Sequence, residues 1–81
     1  MIVRFGKIVA RKGNLVKIIS RGEIRRMLEE GWYIGVEFRV KGKSGWIVID
    51  EGKVDVLALD KDVIDFLRRR EKEILSTLEV L

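Results

Sequence analysis

The sequence predicts one small α+β domain, an antiparallel sheet with both helices packed on one face. Its 81 residues are enough for one hydrophobic core and too few for two. Several short stretches alternate apolar and polar residues, as half-buried strands do. Two other stretches repeat apolar residues at the spacing of an amphipathic helix. The predicted element order is ββαβββα, and residues 1–81 are treated as a single domain.

The chain opens with a predicted hairpin. Residues 2–10 and 15–19 are rich in Ile and Val, and Arg11-Lys12-Gly13-Asn14 between them has the composition of a turn. Each of the two faces of the first predicted strand would carry both apolar and charged residues. The register of this hairpin therefore stays open.

A helix is predicted over residues 21–30. Ser20 and Glu23 have the spacing of a capping box, in which each side chain bonds a free backbone N–H of the first turn. Ile24, Met27 and Leu28 follow at helical spacing, and Gly31 suits a left-handed helix end.

Three further strands are predicted, with loops at 41–45 and 50–52. Trp32 to Val40 alternates apolar and polar residues, and residues 46–49 and 54–59 are rich in apolar residues, many of them β-branched. Loops of five and three residues predict one fully apolar face, made of Val36, Phe38, Val40, Trp46, Val48, Val54 and Val56. The second face then carries Ile47 and Ile49 among Glu37, Arg39, Lys53, Asp55 and Leu57.

The last predicted element is a helix from the N-cap Asp60 to about residue 80. Twenty helical residues measure about 30 Å, the full width of a domain of this size. The final apolar residues are therefore expected to contact a second copy of the chain and form a homodimer, with packing on the N-terminal hairpin as the alternative. These interface residues are Ile74, Leu75, Leu78 and Leu81.

The composition argues against catalysis and against several kinds of site. The chain has no Cys and no His, so it offers no thiol nucleophile, no imidazole base and no zinc ligands of these types. Asp50, Glu51 and Asp55 crowd one hairpin, but turn chemistry accounts for the first two. We expect no enzyme activity, no catalytic residues, no metal or cofactor and no small-molecule substrate.

Composition also bears on source and location. Gln is absent, Asn14 is the only Asn, and charged residues reach 37% of the chain. This pattern is typical of hyperthermophiles, and we expect an archaeal source or one of its mobile elements. The sequence has neither an apolar run of about 18 residues nor the order of a signal peptide. We expect a cytoplasmic protein without membrane partners.

The charge distribution favours nucleic-acid binding. Residues 1–49 hold 11 Lys and Arg against 4 Asp and Glu, a formal +7, whereas residues 50–81 carry −3. A positive surface neutralises phosphates, and this supplies most non-specific affinity for nucleic acid. DNA is expected rather than RNA, bound mainly through its backbone. The predicted contacts are Lys41, Lys43 and Ser44 in the 41–45 loop, Arg39, Arg11 and Lys12, with Tyr33 as a stacking residue.

Two other interpretations remain open. The lysines at 41 and 43 suit a hairpin tip that only discourages aggregation. The acidic second half and the apolar C-terminus also fit a protein-interaction or structural module without nucleic acid. Such a module would oligomerise through its C-terminal helix or through the second sheet face.

Overall fold

The computed structural model describes residues 2–50 and 52–80. The sheet strands are β1 (Val3–Lys12), β2 (Leu15–Ile18), β3 (Tyr33–Val40), β4 (Lys43–Asp50) and β5 (Lys53–Leu57). The helices are α1 (Ile24–Glu29), preceded by a 3₁₀ turn at Arg21–Glu23, α2 (Lys61–Arg69) and α3 (Glu71–Thr77). The predicted α+β class and element order are confirmed, except that the last helix is divided in two.

The five strands form one antiparallel sheet in the order β2-β1-β3-β4-β5. The helices contribute Ile24, Met27, Leu67, Ile74 and Leu78 to the same buried cluster as the strands. One side of the sheet, here called the covered face, therefore packs against all the helices. Its buried strand residues are Ile8, Ala10, Ile34, Val36, Phe38, Val40, Ile47, Ile49 and Val56.

A β-bulge explains the ambiguous pattern of the first strand. Phe5 lies opposite Phe38 and Ile8 lies opposite Val36, so Gly6 and Lys7 together face the single residue Glu37. The extra residue reverses the alternation, because core positions are odd-numbered before the bulge and even-numbered after it.

The first helix has the predicted capping box and glycine stop, but its first turn, Arg21–Glu23, is 3₁₀ and the α-helix covers Ile24–Glu29. The Glu23 carboxylate accepts hydrogen bonds from the Ser20 backbone N–H at 3.1 Å and the Ser20 hydroxyl at 3.0 Å. Gly31 has a φ of +89°, and the Trp32 N–H donates to the Met27 carbonyl at 3.0 Å, which closes the helix.

The predicted register of β4 is wrong. Val40 lies opposite Lys43 and Asp50 lies opposite Lys53, so each adjoining connection has two residues instead of the expected five and three. The two connections are shorter than predicted by three residues and by one residue. Because both differences are odd numbers, every side chain of β4 lies on the face opposite to the predicted one. Ile47 and Ile49 are consequently core residues, whereas Trp46 and Val48 lie on the opposite face.

The β3–β4 turn accounts for part of this difference. Lys41 and Gly42 have φ values of +51° and +75°, the left-handed backbone of a two-residue hairpin turn. Lys43, Ser44 and Gly45 therefore belong to β4 and do not form a loop. Glu51, in the second predicted loop, lies outside the described residues.

The C-terminal segment does not form one long helix. It breaks at Arg70, between an apolar stretch ending at Leu67 and another beginning at Ile74. An unbroken helix would place Arg70 or Glu71 in the row of apolar side chains that faces the core. With the break, Ile74 and Leu78 are buried in the same core as the sheet. In the part of the chain that the structure describes, no helix has the length and apolarity needed to cross a bilayer.

Candidate nucleic-acid interface

The sheet side turned away from the helices, here called the open face, has no helix packed over it. Register and burial place most of the polar strand residues, together with Tyr33 and Trp46, on this side. Its β1–β3 part carries Arg4, Val9, Arg11, Tyr33, Gly35, Glu37 and Arg39, and its β4–β5 part carries Ser44, Trp46, Val48, Asp50, Lys53, Asp55 and Leu57.

A depression of about 510 Å³ lies near the middle of the open face. Val9, Gly35 and Val48 lie side by side across β1, β3 and β4 and all line it. Tyr33 and Trp46 line it as well. Tyr33 is 51% exposed and Trp46 is half-buried, so two aromatic rings border an apolar hollow that is open to solvent.

Trp46 is held in place by the glycine of the neighbouring strand. A Cβ built on Gly35 would lie 3.5 Å from Cε3 of the indole, so the ring packs against the bare backbone at this position. The second tryptophan, Trp32, is buried on the covered side beneath Lys17, whose Nζ is 5.3 Å from the ring centroid. Trp46 is therefore the tryptophan that a ligand on the open face can reach.

Two arginines face each other at one end of the open face. Arg4 on β1 lies directly opposite Arg39 on β3, and Ser44 on β4 is the next residue in that row. Like charges in directly opposite positions repel each other, and neither arginine has an ion-pair partner among residues 2–50 and 52–80. An anion bound between them would offset this repulsion. We call Arg4, Arg39 and Ser44 the basic row.

Glu37, the acidic residue beside the basic row on β3, is directed toward the bulge in β1. The Glu37 carboxylate lies against Gly6, where a Cβ would be 2.6 Å from its Oε1 atom. The same oxygen is 3.5 Å from the Lys7 backbone N–H. Glu37 therefore lies over the bulged backbone and forms no ion pair with either arginine among the described residues.

Arg11 supplies a third cation beside the depression. It lies opposite Tyr33, and its Nε–H donates to the Gly13 carbonyl at 3.3 Å. This bond fixes the stem of the side chain and leaves the two terminal amino groups of the guanidinium for a ligand. Arg11 also lines the depression, so a cation and an aromatic ring meet at one rim.

Two of the predicted phosphate contacts are instead engaged in the covered half of the molecule. Lys43 pairs with Asp60, the N-cap of α2, and this contact raises the pKa of the Lys43 ammonium. Lys12 donates from Nζ to the Glu30 carbonyl at 2.7 Å, at the negative end of α1. Lys41 is exposed at its turn and lines a shallow cleft together with Lys43 and Asp60.

The predicted oligomer interface is also largely engaged within the protomer. Ile74 and Leu78 are core residues, Leu75 is half-buried, and Leu81 lies outside the described residues. Since the segment is divided into two shorter helices and buries Ile74 and Leu78 in the core of the protomer, the reason for expecting these residues at an interface disappears.

Apart from Glu37 on β3, the acidic residues of the open face lie on its β4–β5 side. Asp50 is opposite Lys53, and Asp55 is opposite Val48. The arginines lie on β1 and β3, so the positive charge is concentrated on one half of the face. Within the described ranges, no three acidic side chains are grouped as a metal site would require.

Of the predicted site residues, the structure brings Arg39, Ser44, Arg11 and Tyr33 to the open face. The sequence did not predict the roles of Arg4, Trp46 and Gly35. Glycines within strands were the available signal, because a glycine inside a strand often marks close packing of a large neighbour.

Comparisons with protein-family models, curated proteins and solved structures found no match for this chain. Its function is therefore inferred from the chemistry of the open face.

Proposed function

We propose that the protein is a nucleic-acid-binding module that holds its ligand across the open face. The observation that carries the proposal is the combination on one uncovered sheet surface of two accessible aromatic rings and three arginines. Arg4, Arg11 and Arg39 have no acidic ion-pair partner in the described part of the chain. The sequence predicted binding around the 41–45 turn, and the proposal moves the site to the neighbouring sheet surface.

The two kinds of side chain suit the two parts of a nucleotide. Guanidinium groups form charge-assisted hydrogen bonds to phosphate oxygens, often through two parallel N–H donors. Aromatic rings stack on bases with little dependence on sequence. The formal +7 of residues 1–49 adds long-range attraction for a polyanion.

Fluorescence anisotropy tests the proposal directly. Labelled single-stranded and duplex DNA and RNA of matched sequence are titrated with protein from about 50 to 200 mM salt. We expect binding at the lowest salt and a steep loss of affinity as salt rises, because each phosphate contact releases a counterion. Lack of binding to all four ligands at the lowest salt would contradict the proposal.

Reversal of charge in the basic row tests the location. Arg4→Glu/Arg39→Glu should weaken binding by roughly tenfold or more and make its salt dependence shallower, because two phosphate contacts are removed. The matched control is Arg68→Glu/Lys72→Glu, the same change in charge at exposed positions of the C-terminal helices. An equal loss in both variants would mean that affinity reflects net charge alone.

Self-association is the second candidate function. Val9, Val16, Ile18, Val48 and Leu57 give the open face an apolar component, and Val16, Ile18 and Leu57 are exposed. Sedimentation equilibrium over a range of protein concentrations distinguishes the two candidates. A dimer that dissociates when Val48 is changed to Lys, in a protein that binds no nucleic acid, would support self-association instead.

We also propose a hyperthermophilic archaeal source, supported by the composition, and a cytoplasmic location, supported by the lack of an apolar run of membrane-spanning length in the sequence. A thermal unfolding midpoint well below roughly 90 °C would argue against the heat-adapted source.

A further inference from the structure

We infer that the depression on the open face receives one unpaired nucleobase, so that the ligand is a single-stranded nucleic acid. This inference rests on the proposed function and goes further by naming the form of nucleic acid and the part of it that enters the site.

The shape of the depression follows from one missing side chain. Across the sheet, Gly35 stands between Val9 and Val48, and along the sheet it lies near Tyr33 and Trp46. Each of these four neighbours has a side chain on the open face, whereas Gly35 has none. The result is an apolar hollow with aromatic walls, and its volume of about 510 Å³ lies in the range of small-ligand pockets.

The chemistry of the hollow suits a flat aromatic ring attached to an anion. Trp46 packs against the Gly35 backbone, and its half-buried ring is a stacking surface held by the sheet. Arg11 lines the same depression, so a base against Trp46 would have a cation nearby for its phosphate. A purely apolar partner would leave that guanidinium without a charge partner.

A duplex fits this surface less well than a single strand. The faces of paired bases are covered by their neighbours, and their edges lie in grooves that admit a helix or a two-stranded ribbon. A face of five strands offers neither shape. In a single strand the base is free to leave its neighbours and stack on a side chain.

A second copy of the chain is also a poorer occupant than a nucleotide. Two open faces in contact would bring a second set of Arg4, Arg11 and Arg39 to the same interface. Phosphates compensate all three charges, whereas a second copy could oppose them only with the few carboxylates of its own open face while adding three more arginines.

The hollow can be filled without disturbing the core. A Cβ at Gly35 meets the Trp46 ring at an ordinary contact distance, and the backbone there is not left-handed. Gly35→Ala is therefore the matched control, whereas the γ-methyl groups of Gly35→Val, a residue that favours strands, displace the Trp46 ring from the Gly35 backbone and take up space in the hollow. We expect Gly35→Val to weaken single-strand binding roughly tenfold or more, with a much smaller effect of Gly35→Ala.

Trp46 provides a spectroscopic readout. In a Trp32→Phe background it is the only tryptophan, and we expect single-stranded oligonucleotides to quench its fluorescence more strongly than duplexes of the same sequence. Trp46→Leu should weaken single-strand binding as Gly35→Val does. Circular dichroism and the unfolding midpoint of every variant show that the loss of binding is not a loss of fold.

The outcomes separate this inference from the proposed function. If Arg4→Glu/Arg39→Glu weakens binding but Gly35→Val and Trp46→Leu do not, the base site is wrong and the proposed function stands. Equal quenching by duplex and single strand overturns the inference in the same way. A Trp46 signal that changes with protein concentration alone assigns the hollow to a second copy. If no nucleic acid binds at about 50 mM salt, both proposals fail.

Discussion

At the scale of the residue, two glycines determine which large side chains each face of the sheet can hold. Gly45 lies opposite Phe38 on the covered face, where the phenyl ring occupies the space that a side chain would take. Gly35 has the corresponding role on the open face, beneath Trp46. In the observed register of β4, each face of the sheet therefore has one large aromatic ring packed against a glycine of the neighbouring strand.

The two glycines differ in the space around them, and this predicts different effects of Ala. A Cβ at Gly45 would overlap the Leu57 carbonyl oxygen and lie 2.8 Å from Cζ of Phe38. Gly45→Ala should therefore lower the free energy of unfolding by about 1–3 kcal/mol, as overpacked core substitutions do. Denaturant unfolding measures this, with Gly35→Ala as the control. Equal stability of Gly45→Ala and wild type would contradict the described β4 register.

At the scale of the element, Asp60 connects the start of α2 to the sheet. Its Oδ1 accepts from the N–H groups of Asp62 at 2.9 Å and Val63 at 3.3 Å, and its other oxygen pairs with Lys43. The hydrogen bond from Lys43, followed by that from the Val63 N–H, lowers the pKa of the Asp60 carboxyl below its ordinary value of 3.8.

This pKa shift predicts how the contact depends on pH. Because the folded pKa of Asp60 is below the unfolded one, its contribution to stability is present above about pH 4 and is lost as pH falls through the folded value. Asp60→Asn keeps a capping side chain and removes the charge. We expect it to lower the unfolding midpoint at neutral pH and the difference from wild type to shrink as pH falls through the folded pKa of Asp60. A constant difference at all pH values would rule out the ionic contribution.

Glu23 has the same direction of shift for a different reason. Its pKa is lowered below 4.5 chiefly by the hydrogen bond from the Ser20 backbone N–H, and then by that from the Ser20 hydroxyl. The start of α1 should therefore also be less stable in acid. Lys43 shifts in the opposite direction, so its contribution is present below its ordinary value of 10.5 and is lost as pH rises through the folded value.

At the scale of the whole molecule, α3 completes the core of the protomer. Leu78 is 0% exposed, and Leu78→Ala should lower the free energy of unfolding by about 2–5 kcal/mol because it leaves a cavity. Leu57→Ala, at an exposed position of β5, should change stability by roughly 0.5 kcal/mol or less. Unfolding and sedimentation measurements on both variants test this. A dissociated oligomer with unchanged stability in Leu78→Ala would restore the interface expected from the sequence.

Local signals in the sequence predicted what depends on near neighbours in the chain. The capping residues Ser20 and Asp60, the stop at Gly31 and the alternation of β3 each depend on a few adjacent residues, and the structure confirms them. Together with the composition, they were enough to predict the fold class and the element order.

Tertiary structure decided what depends on residues far apart in the chain. The face of β4 is set by the parity of two turn lengths, and the bulge in β1 becomes visible only against β3. Lys12 and Lys43 resemble the other basic residues in sequence, but their partners Glu30 and Asp60 lie 18 and 17 positions away. Only the folded chain shows which cations are engaged and that Trp46 lies on the same face as Arg4, Arg11 and Arg39, because strand pairing brings these residues together.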